Sequence, residues 1–328
     1  MLLLTVVYLQ EKQGKMSWAN IKQIKFIILM SISCGLLYLH ITFTHKVPHC
    51  TCGHCHVEKH HDAWFSERFN ASYHPLMTRN SSHVSTETFL WWQHIQLRTA
   101  GWNEYRNAVD KLFQIIPDKE LYMDGCPDCC RVCSVVGNSG NLKNSRYGPL
   151  IDFSDFILRI NRGPTKGYER DVGSKTTHRI IYPESAVDVD NSTHLVMFPF
   201  KVLDLEWLIS VFTTHTVKRA NTPVKSTIKA NLSLVSVVSP SFMKYVHYQW
   251  LQNHGLYPST GFMTIVMALH ICDKVRVFGF GADKNGNWDH YFEKTPPFYR
   301  TGGHGGTFEY ATLKELHKRN KIEFYTRW

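Results

Sequence analysis

The sequence predicts an α/β domain, a mostly parallel sheet with helices on both faces. Three observations predict it. Five short apolar runs read as buried strands, each too short for a helix. Two stretches with helical spacing of apolar residues alternate with them. Two of the strands run directly into glycine-rich turns, and in a parallel sheet such turns lie at the ligand-binding carboxyl edge.

The first helical pattern covers Trp91 to Phe113, with Trp92, Ile95, Leu97, Val109, Leu112 and Phe113 as its apolar positions. Val132–Val136 is the first strand and ends in the turn Gly137-Asn-Ser-Gly-Asn141. Phe156–Ile160, His194–Phe198, Ser233–Val238 and Val275–Phe278 are the other four, the last followed by Gly279-Phe-Gly281. Between the final two strands, Ser259–His270 reads as an apolar-rich helix with Ser259 or Thr260 as its cap. The loops after Val136, Ile160 and Phe278 are therefore the expected seat of chemistry.

The 328 residues accommodate a membrane anchor, a spacer and one sizeable domain. Residues 26–43 contain no Asp, Glu, Lys or Arg and are mostly apolar, at the short end of what spans a bilayer. Lys12, Lys15, Lys22 and Lys25 precede this run, and His45 and Lys46 follow it. The positive-inside rule then predicts a cytosolic tail (1–25), an uncleaved signal anchor (26–43), a short Cys/His-rich stem (44–62) and a lumenal domain (63–328). The alternative reading of the run is a buried core helix, and Met16 is a second candidate start. Four N-glycosylation sequons, at Asn70, Asn80, Asn191 and Asn231, agree with a lumenal domain. Beyond the anchor lie eight cysteines, an even set that reads as disulfides in an oxidising lumen: Cys50, Cys52, Cys55, Cys126, Cys129, Cys130, Cys133 and Cys272. The net charge of +10 favours anionic partners. No block of Lys/Arg or aromatic-interleaved basic stripe marks nucleic-acid binding.

Single motifs are weak on their own. Gly137-Asn-Ser-Gly-Asn141 reads equally as a nucleotide loop or a plain turn, and Gly279-Phe-Gly281 lacks the third glycine of a dinucleotide fingerprint. Asp188-Val-Asp190 resembles a metal-binding carboxylate pair, although a solvated loop leading into the Asn191 sequon is the simpler account. Cys50-x-Cys52-x-x-Cys55 with His54 and His56 has metal-like spacing, against which the compartment favours disulfides. His290 and His304, beyond the last strand, are the strongest candidates for acid–base chemistry.

Taken together these residues resemble the animal sialyltransferase family, within it the β-galactoside α-2,3-sialyltransferases acting on Galβ1-3GalNAc. Cys130 to His178 resembles the family's large sialyl motif, and His254 through Cys272 to Asp283 resembles its small motif. His290-Tyr-Phe-Glu293 resembles the third motif, and His304 with Glu309 the very small one. The likeness runs from about Cys50 to the C-terminus, and the four motifs occur in order. It implies a GT-A-like Rossmann variant, a CMP-sialic acid donor, a galactose-terminated glycoprotein or glycolipid acceptor and an inverting single displacement without metal or other cofactor. It implies nucleotide contacts from Asn138, Ser139, Asn161, Tyr182, Ser259, Thr260, Gly261 and Gly281. It also implies acceptor contacts from Gln96 and Tyr257, a phosphate contact from His290 and a base at His304. A pairing scheme of Cys50–Cys55, Cys52–Cys130 and Cys133–Cys272 is implied, with Cys126 and Cys129 left over. So is a Golgi membrane location, single-pass and type II. A homodimer and a monomer both remain open.

Two departures stand out. Relatives place a tyrosine near the donor phosphate where this chain has Asn221, and the loop between His290 and His304 is shorter than the family pattern. Two rivals therefore stay open beside the α-2,3 reading. One is the same family with another acceptor or linkage, such as α-2,6 transfer to GalNAc. The other is a non-catalytic homologue that binds glycan or nucleotide. A metal-dependent UDP-sugar transferase is the weakest alternative.

Overall fold

The computed structural model describes residues 27–33, 62–95, 100–119, 121–122, 130–217, 223–282, 289–294 and 303–326. The chain divides into two units, Met1–His49 and Cys50–Trp328. In the first, residues 27–33 are helical and expose Ile27, Ile28, Leu29, Met30 and Ile32. The rest of the expected anchor lies outside the described residues. Among those described, no helix is long and apolar enough to cross a membrane.

The described residues of the second unit form seven strands: β1 (Val132–Val136), β2 (Phe156–Ile160), β3 (His178–Ile181), β4 (His194–Met197), β5 (Val235–Val237), β6 (Lys274–Phe278) and β7 (Glu323–Tyr325). They form one sheet in the order β5-β4-β3-β2-β1-β6-β7, and every pairing is parallel. The chain winds outward from β1 to β5, then returns to the other side of β1 as β6. That reversal makes the carboxyl ends of β1 and β6 a topological switch point, where loops diverge and leave a crevice.

Among the described residues nine α-helices flank the sheet: α1 (Ala63–Ser66), α2 (Thr86–His94), α3 (Trp102–Leu112), α4 (Gly148–Asp152), α5 (Glu169–Val172), α6 (Val202–Phe212), α7 (Pro240–Tyr245), α8 (Thr260–Ile271) and α9 (Gly306–Lys318). α8 is apolar on all sides and nearly every residue of it is buried, as suits a helix enclosed on the sheet. It packs with Leu158, Ile180, Val196 and Val277 from one sheet face. Each such fully buried side chain stabilises the fold by about 1.5–3 kcal/mol. On the opposite face, Leu195, Met197 and Val237 pack with α3 and α6, and Val136, Ile157 and Phe278 form a separate cluster with Tyr291.

The mostly parallel α/β expectation is met by an all-parallel sheet. One element differs: the single helix expected over Trp91–Phe113 is two helices, α2 and α3, the second starting after Gly101 in extended backbone (φ −84°, ψ 178°). Gly101 is the N-cap of α3 and makes no side-chain cap hydrogen bond; a Cβ there would meet only the movable carboxylate of Glu104. β3, β7, α6 and α9 were not anticipated.

Cys133 and Cys272 form a disulfide that ties β1 to the end of α8, as the family pattern implied. Cys130 is also disulfide-bonded. Its partner lies outside the described residues, as do Cys50, Cys52, Cys55, Cys126 and Cys129.

Candidate active site

The turn after β1 and the turn after β6 are knitted together at the switch point. Gly137 N–H donates to Phe278 O at 2.8 Å and Ser139 N–H to Gly279 O at 3.0 Å. Ser139 Oγ donates to Gly281 O at 2.6 Å, and Asn141 Nδ2 to Phe280 O at 2.7 Å. The two backbones approach so closely that a Cβ on Gly137 would stand 2.4 Å from Gly279 O. Only glycine permits that contact. The segment carrying His290 joins the same cluster. Ser139 and His290 form an antiparallel bridge, Gly140 N–H donates to Asp289 O, and Tyr291 N–H donates to Asn138 O.

Asn138 reaches sideways, its Nδ2 donating to Ile160 O at the end of β2. The next residue, Asn161, adopts a left-handed conformation with φ +55°, which is uncommon outside glycine. Arg179 on β3 holds it there by donating to Asn161 O at 3.1 Å and Gly163 O at 3.0 Å. Asn161 Oδ1 is buried without a hydrogen-bond partner among the described residues, the state expected of an acceptor reserved for a ligand.

His290 Nδ1 lies 2.6 Å from Glu293 Oε1. A carboxylate only accepts, so this nitrogen bears the proton. When the ring is protonated, Nε2–H becomes a second donor while Glu293 balances the charge.

The other half of the site is formed by the segment before α8 and the segment before α9. Ser259 caps α8, its Oγ accepting from Phe262 N–H. Glu309, buried on α9, accepts from Ser259 N–H at 2.7 Å and from Ser259 Oγ–H at 2.6 Å. Burial pushes its carboxyl up, and the two Ser259 bonds and nearby His304 pull it back only in part. Thr260 and Gly261 follow at the start of the helix. A Cβ on Gly261 would meet the Phe280 ring at 2.7 Å, so this helix start abuts the β6 turn and the two halves meet.

His304 is paired through its backbone with Gly255, and Leu256 N–H donates to Gly303 O at 2.7 Å. Its Nδ1 lies 3.2 Å from Tyr257 O. Because a carbonyl only accepts, Nδ1 carries the proton, and in the neutral ring Nε2 is the basic nitrogen. The Tyr257 ring stands edge-on to His304 at 4.8 Å and tilted against Phe200 at 5.5 Å. Phe200 in turn meets Tyr182 at 6.1 Å. An unbroken aromatic wall thus links Tyr182 to His304. Asp204 pins its middle by accepting from Phe200 N–H, and its carboxyl is pushed up to about 6 by burial, against the pull of Lys201.

Of the residues expected at the site, Asn138, Ser139, Asn161, Gly281 and His290 lie together in one half, and Tyr257, Ser259, Thr260, Gly261 and His304 in the other, with Tyr182 joined to them through Phe200. Gln96 and Asn221 lie outside the described residues. Arg179 and Phe200 belong to the site and were not anticipated, whereas Asn141 lies in the glycine-rich turn that the sequence singled out. A charged residue directly before the apolar pair Ile180-Ile181 was the available signal for Arg179.

Asp188 accepts from Lys225 Nζ and Lys229 N–H, and Asp190 accepts from Ser192 and Thr193. Those bonds hold both carboxyls below the usual range. They account for the pair as a loop clasp, the simpler of its two readings. No cluster of three or more His, Cys, Asp or Glu able to hold a metal occurs among the described residues. The sequon residues Asn70, Asn80 and Asn191 are exposed, and Asn231 is half-buried, its Nδ2 donating to Asn191 O.

Residues 76–321 match the model of glycosyltransferase family 29 (sialyltransferase). The chain is 45% identical over 286 residues to the pig (Sus scrofa) protein named CMP-N-acetylneuraminate-beta-galactosamide-alpha-2,3-sialyltransferase 1, covering 85% of this chain and 83% of that one. It is 44% identical over 284 residues to the mouse (Mus musculus) protein of the same name, covering 85% and 84%. Among solved structures, a mammalian sialyltransferase in complex with Gal-beta-1-3GalNAc-ortho-nitrophenol superposes with a TM-score of 0.79 at 44% identity, covering 84% of this chain and 99% of that one.

Proposed function

The chain belongs to glycosyltransferase family 29, the sialyltransferases, and we propose that it transfers sialic acid from CMP-sialic acid to the 3-hydroxyl of terminal galactose in Galβ1-3GalNAc-type glycans. The enzyme class follows from the family, and the α-2,3 linkage to a β-galactoside from the relatives so named. The observation that carries the mechanism is the seating of His304, with Nδ1–H held by Tyr257 O beside the start of α8.

The donor's nucleotide lies across Asn138, Ser139, Asn161, Tyr182, Gly281 and the Ser259–Gly261 helix start, where the Thr260 and Gly261 amides at the helix N-terminus favour an anion. His290, protonated and balanced by Glu293, donates to the phosphate. Gln96 and Tyr257 border the acceptor. His304 Nε2 takes the proton of the galactose 3-hydroxyl as its oxygen bonds to the anomeric carbon of sialic acid. The bond from that carbon to the phosphate oxygen breaks, and CMP leaves with its electron pair. A single displacement of this kind inverts the anomeric centre. CMP carries one phosphorus, so no diphosphate has to be bridged by a metal. The domain faces the Golgi lumen, on residues 44–62 as stem and 26–43 as a type II anchor with 1–25 in the cytosol. The acceptors are glycoproteins or glycolipids.

The test is transfer from CMP-sialic acid to Galβ1-3GalNAc, Galβ1-4GlcNAc and GalNAc in parallel, with EDTA present, and linkage analysis of any product. Product on Galβ1-3GalNAc in α-2,3 linkage is expected. Product on GalNAc in α-2,6 linkage would replace the acceptor assignment. A chain that binds CMP and transfers to nothing would be a binding protein. His304→Ala is expected to abolish turnover while leaving CMP binding intact.

A further inference from the structure

We infer that His247 is a positioning residue, fixed in one tautomer by Trp91, that holds the strand pairing on which the base is seated. This rests on the reading of His304 as the base. His247 is buried in a single π-helical turn, Val246–Trp250, which continues α7. Such π turns in an otherwise regular helix are frequent at functional sites. Nothing in the sequence motifs pointed to it.

The hydrogen bonds settle its protonation pattern. Trp91, on α2, can only donate, and its Nε1–H points to His247 Nδ1 at 3.1 Å. His247 Nδ1 is therefore the acceptor, and Nε2 carries the proton. Nε2 lies 3.1 Å from Gly255 O, which can only accept. The neutral imidazole thus satisfies both neighbours, a donor on one side and a carbonyl on the other.

Gly255 is the point where this matters. Its φ of +79° suits glycine, and a Cβ there would fall 2.4 Å from Gly305 N. The same residue is bridged to His304, and its neighbour Leu256 donates to Gly303 O. Two residues further on, Tyr257 O fixes the His304 proton. Trp91, His247, Gly255 and His304 are thus linked in series, from a helix remote in sequence to the base. The turns of the nucleotide half are held by bonds that do not pass through Gly255, Ser139 Oγ to Gly281 O and Gly137 N–H to Phe278 O. Losing the link should therefore misplace the base without unseating the donor.

The experiment compares His247→Phe, His247→Gln and Trp91→Phe in the full-length chain. Phenylalanine fills the ring volume but leaves Gly255 O and Trp91 Nε1–H unpaired. Glutamine keeps an N–H near the Nε2 position. His247→Phe should lower kcat about tenfold or more, with KM for CMP-sialic acid changed by less than about twofold, since a misplaced base loses transition-state stabilisation alone. His247→Gln should recover kcat to within about threefold of the unaltered enzyme, as a retained hydrogen bond predicts. Normal kcat in His247→Phe would overturn the inference. So would a His247→Gln variant no better than His247→Phe despite equal melting and CMP binding. Should His247→Phe fail to fold, Trp91→Phe decides: an unchanged kcat there removes the relay, and a reduced kcat at constant KM supports it. His304→Ala run alongside separates the two assignments. An active His304→Ala removes the base, whereas an inactive one beside an unimpaired His247→Phe removes only His247.

Discussion

At the amino ends of β3 and β4, on the edge of the sheet away from the site, His178 and His194 stack with ring centroids 4.7 Å apart. His178 is buried, with Nε2 2.6 Å from Tyr122 OH and Nδ1 2.8 Å from Thr177 Oγ1. Burial, reinforced by His194 and Arg131, lowers its pKa from 6.5 to about 3. The folded state therefore refuses a proton that the unfolded chain binds below pH 6.5. Stability from this group is constant above pH 6.5 and is lost as pH falls toward 3, at about 1.4 kcal/mol per unit. The whole window is worth on the order of 5 kcal/mol, and the part between pH 6.5 and 5 about 2 kcal/mol. Urea unfolding at pH 7.5, 6.5, 5.5 and 5.0 measures it, with the midpoint read at constant m. The comparison is with His178→Gln, because carboxylates held low by their partners, such as Asp152, lose stability on acidification in both proteins. The difference between the two proteins should narrow or reverse by about 2 kcal/mol between pH 6.5 and 5. Parallel stability curves for the two proteins across that range would refute the reasoning.

Two further perturbations test the site's support. Glu309→Ala strips the half-buried Ser259 N–H and Oγ–H of their acceptor and should cost about 1–3 kcal/mol and raise KM for CMP-sialic acid. Glu309→Gln keeps one acceptor and removes a buried charge, so its cost should be smaller; thermal melts and steady-state kinetics rank the two, and an equal effect would argue against the cap. The Cys133→Ala/Cys272→Ala pair opens a loop of 139 residues. It should lower unfolding free energy by about 2–5 kcal/mol in urea titrations, leaving the linkage of any product unchanged.

Much of this was legible in the sequence because it was written in local signals. β1, β2 and β6 are short apolar runs, α8 opens on Ser259, and the two glycine-rich turns mark the crevice. β3 was illegible because His178 and Arg179 place two polar residues in four, and both are explained only by tertiary partners, Tyr122 and the Asn161–Gly163 turn. The break between α2 and α3 was hidden by apolar spacing that continued on both sides of Gly101. Phe200 and His247 carried no motif at all. Their roles arise from ring contacts and hydrogen bonds between segments far apart in sequence.

The positions of His290 and His304 show why four separate motifs converge. Neither histidine is placed chiefly by its side chain. Each sits on a backbone bridge, His290 to Ser139 and His304 to Gly255. A backbone bridge demands little of side-chain identity but a great deal of close approach. That explains the glycines, asparagines and small residues which fill Gly137-Asn-Ser-Gly-Asn141 and Gly303-His-Gly-Gly306. It also sets the tolerance of the site. Substituting the exposed face of either loop should be mild, whereas adding a Cβ at Gly255 forces contact with Gly305 N at 2.4 Å and must move the base. For His304 the chemistry of the imidazole and the crowding of the glycines are thus one requirement: a ring held at a fixed place by backbones that only glycine lets meet, Gly255 against Gly305.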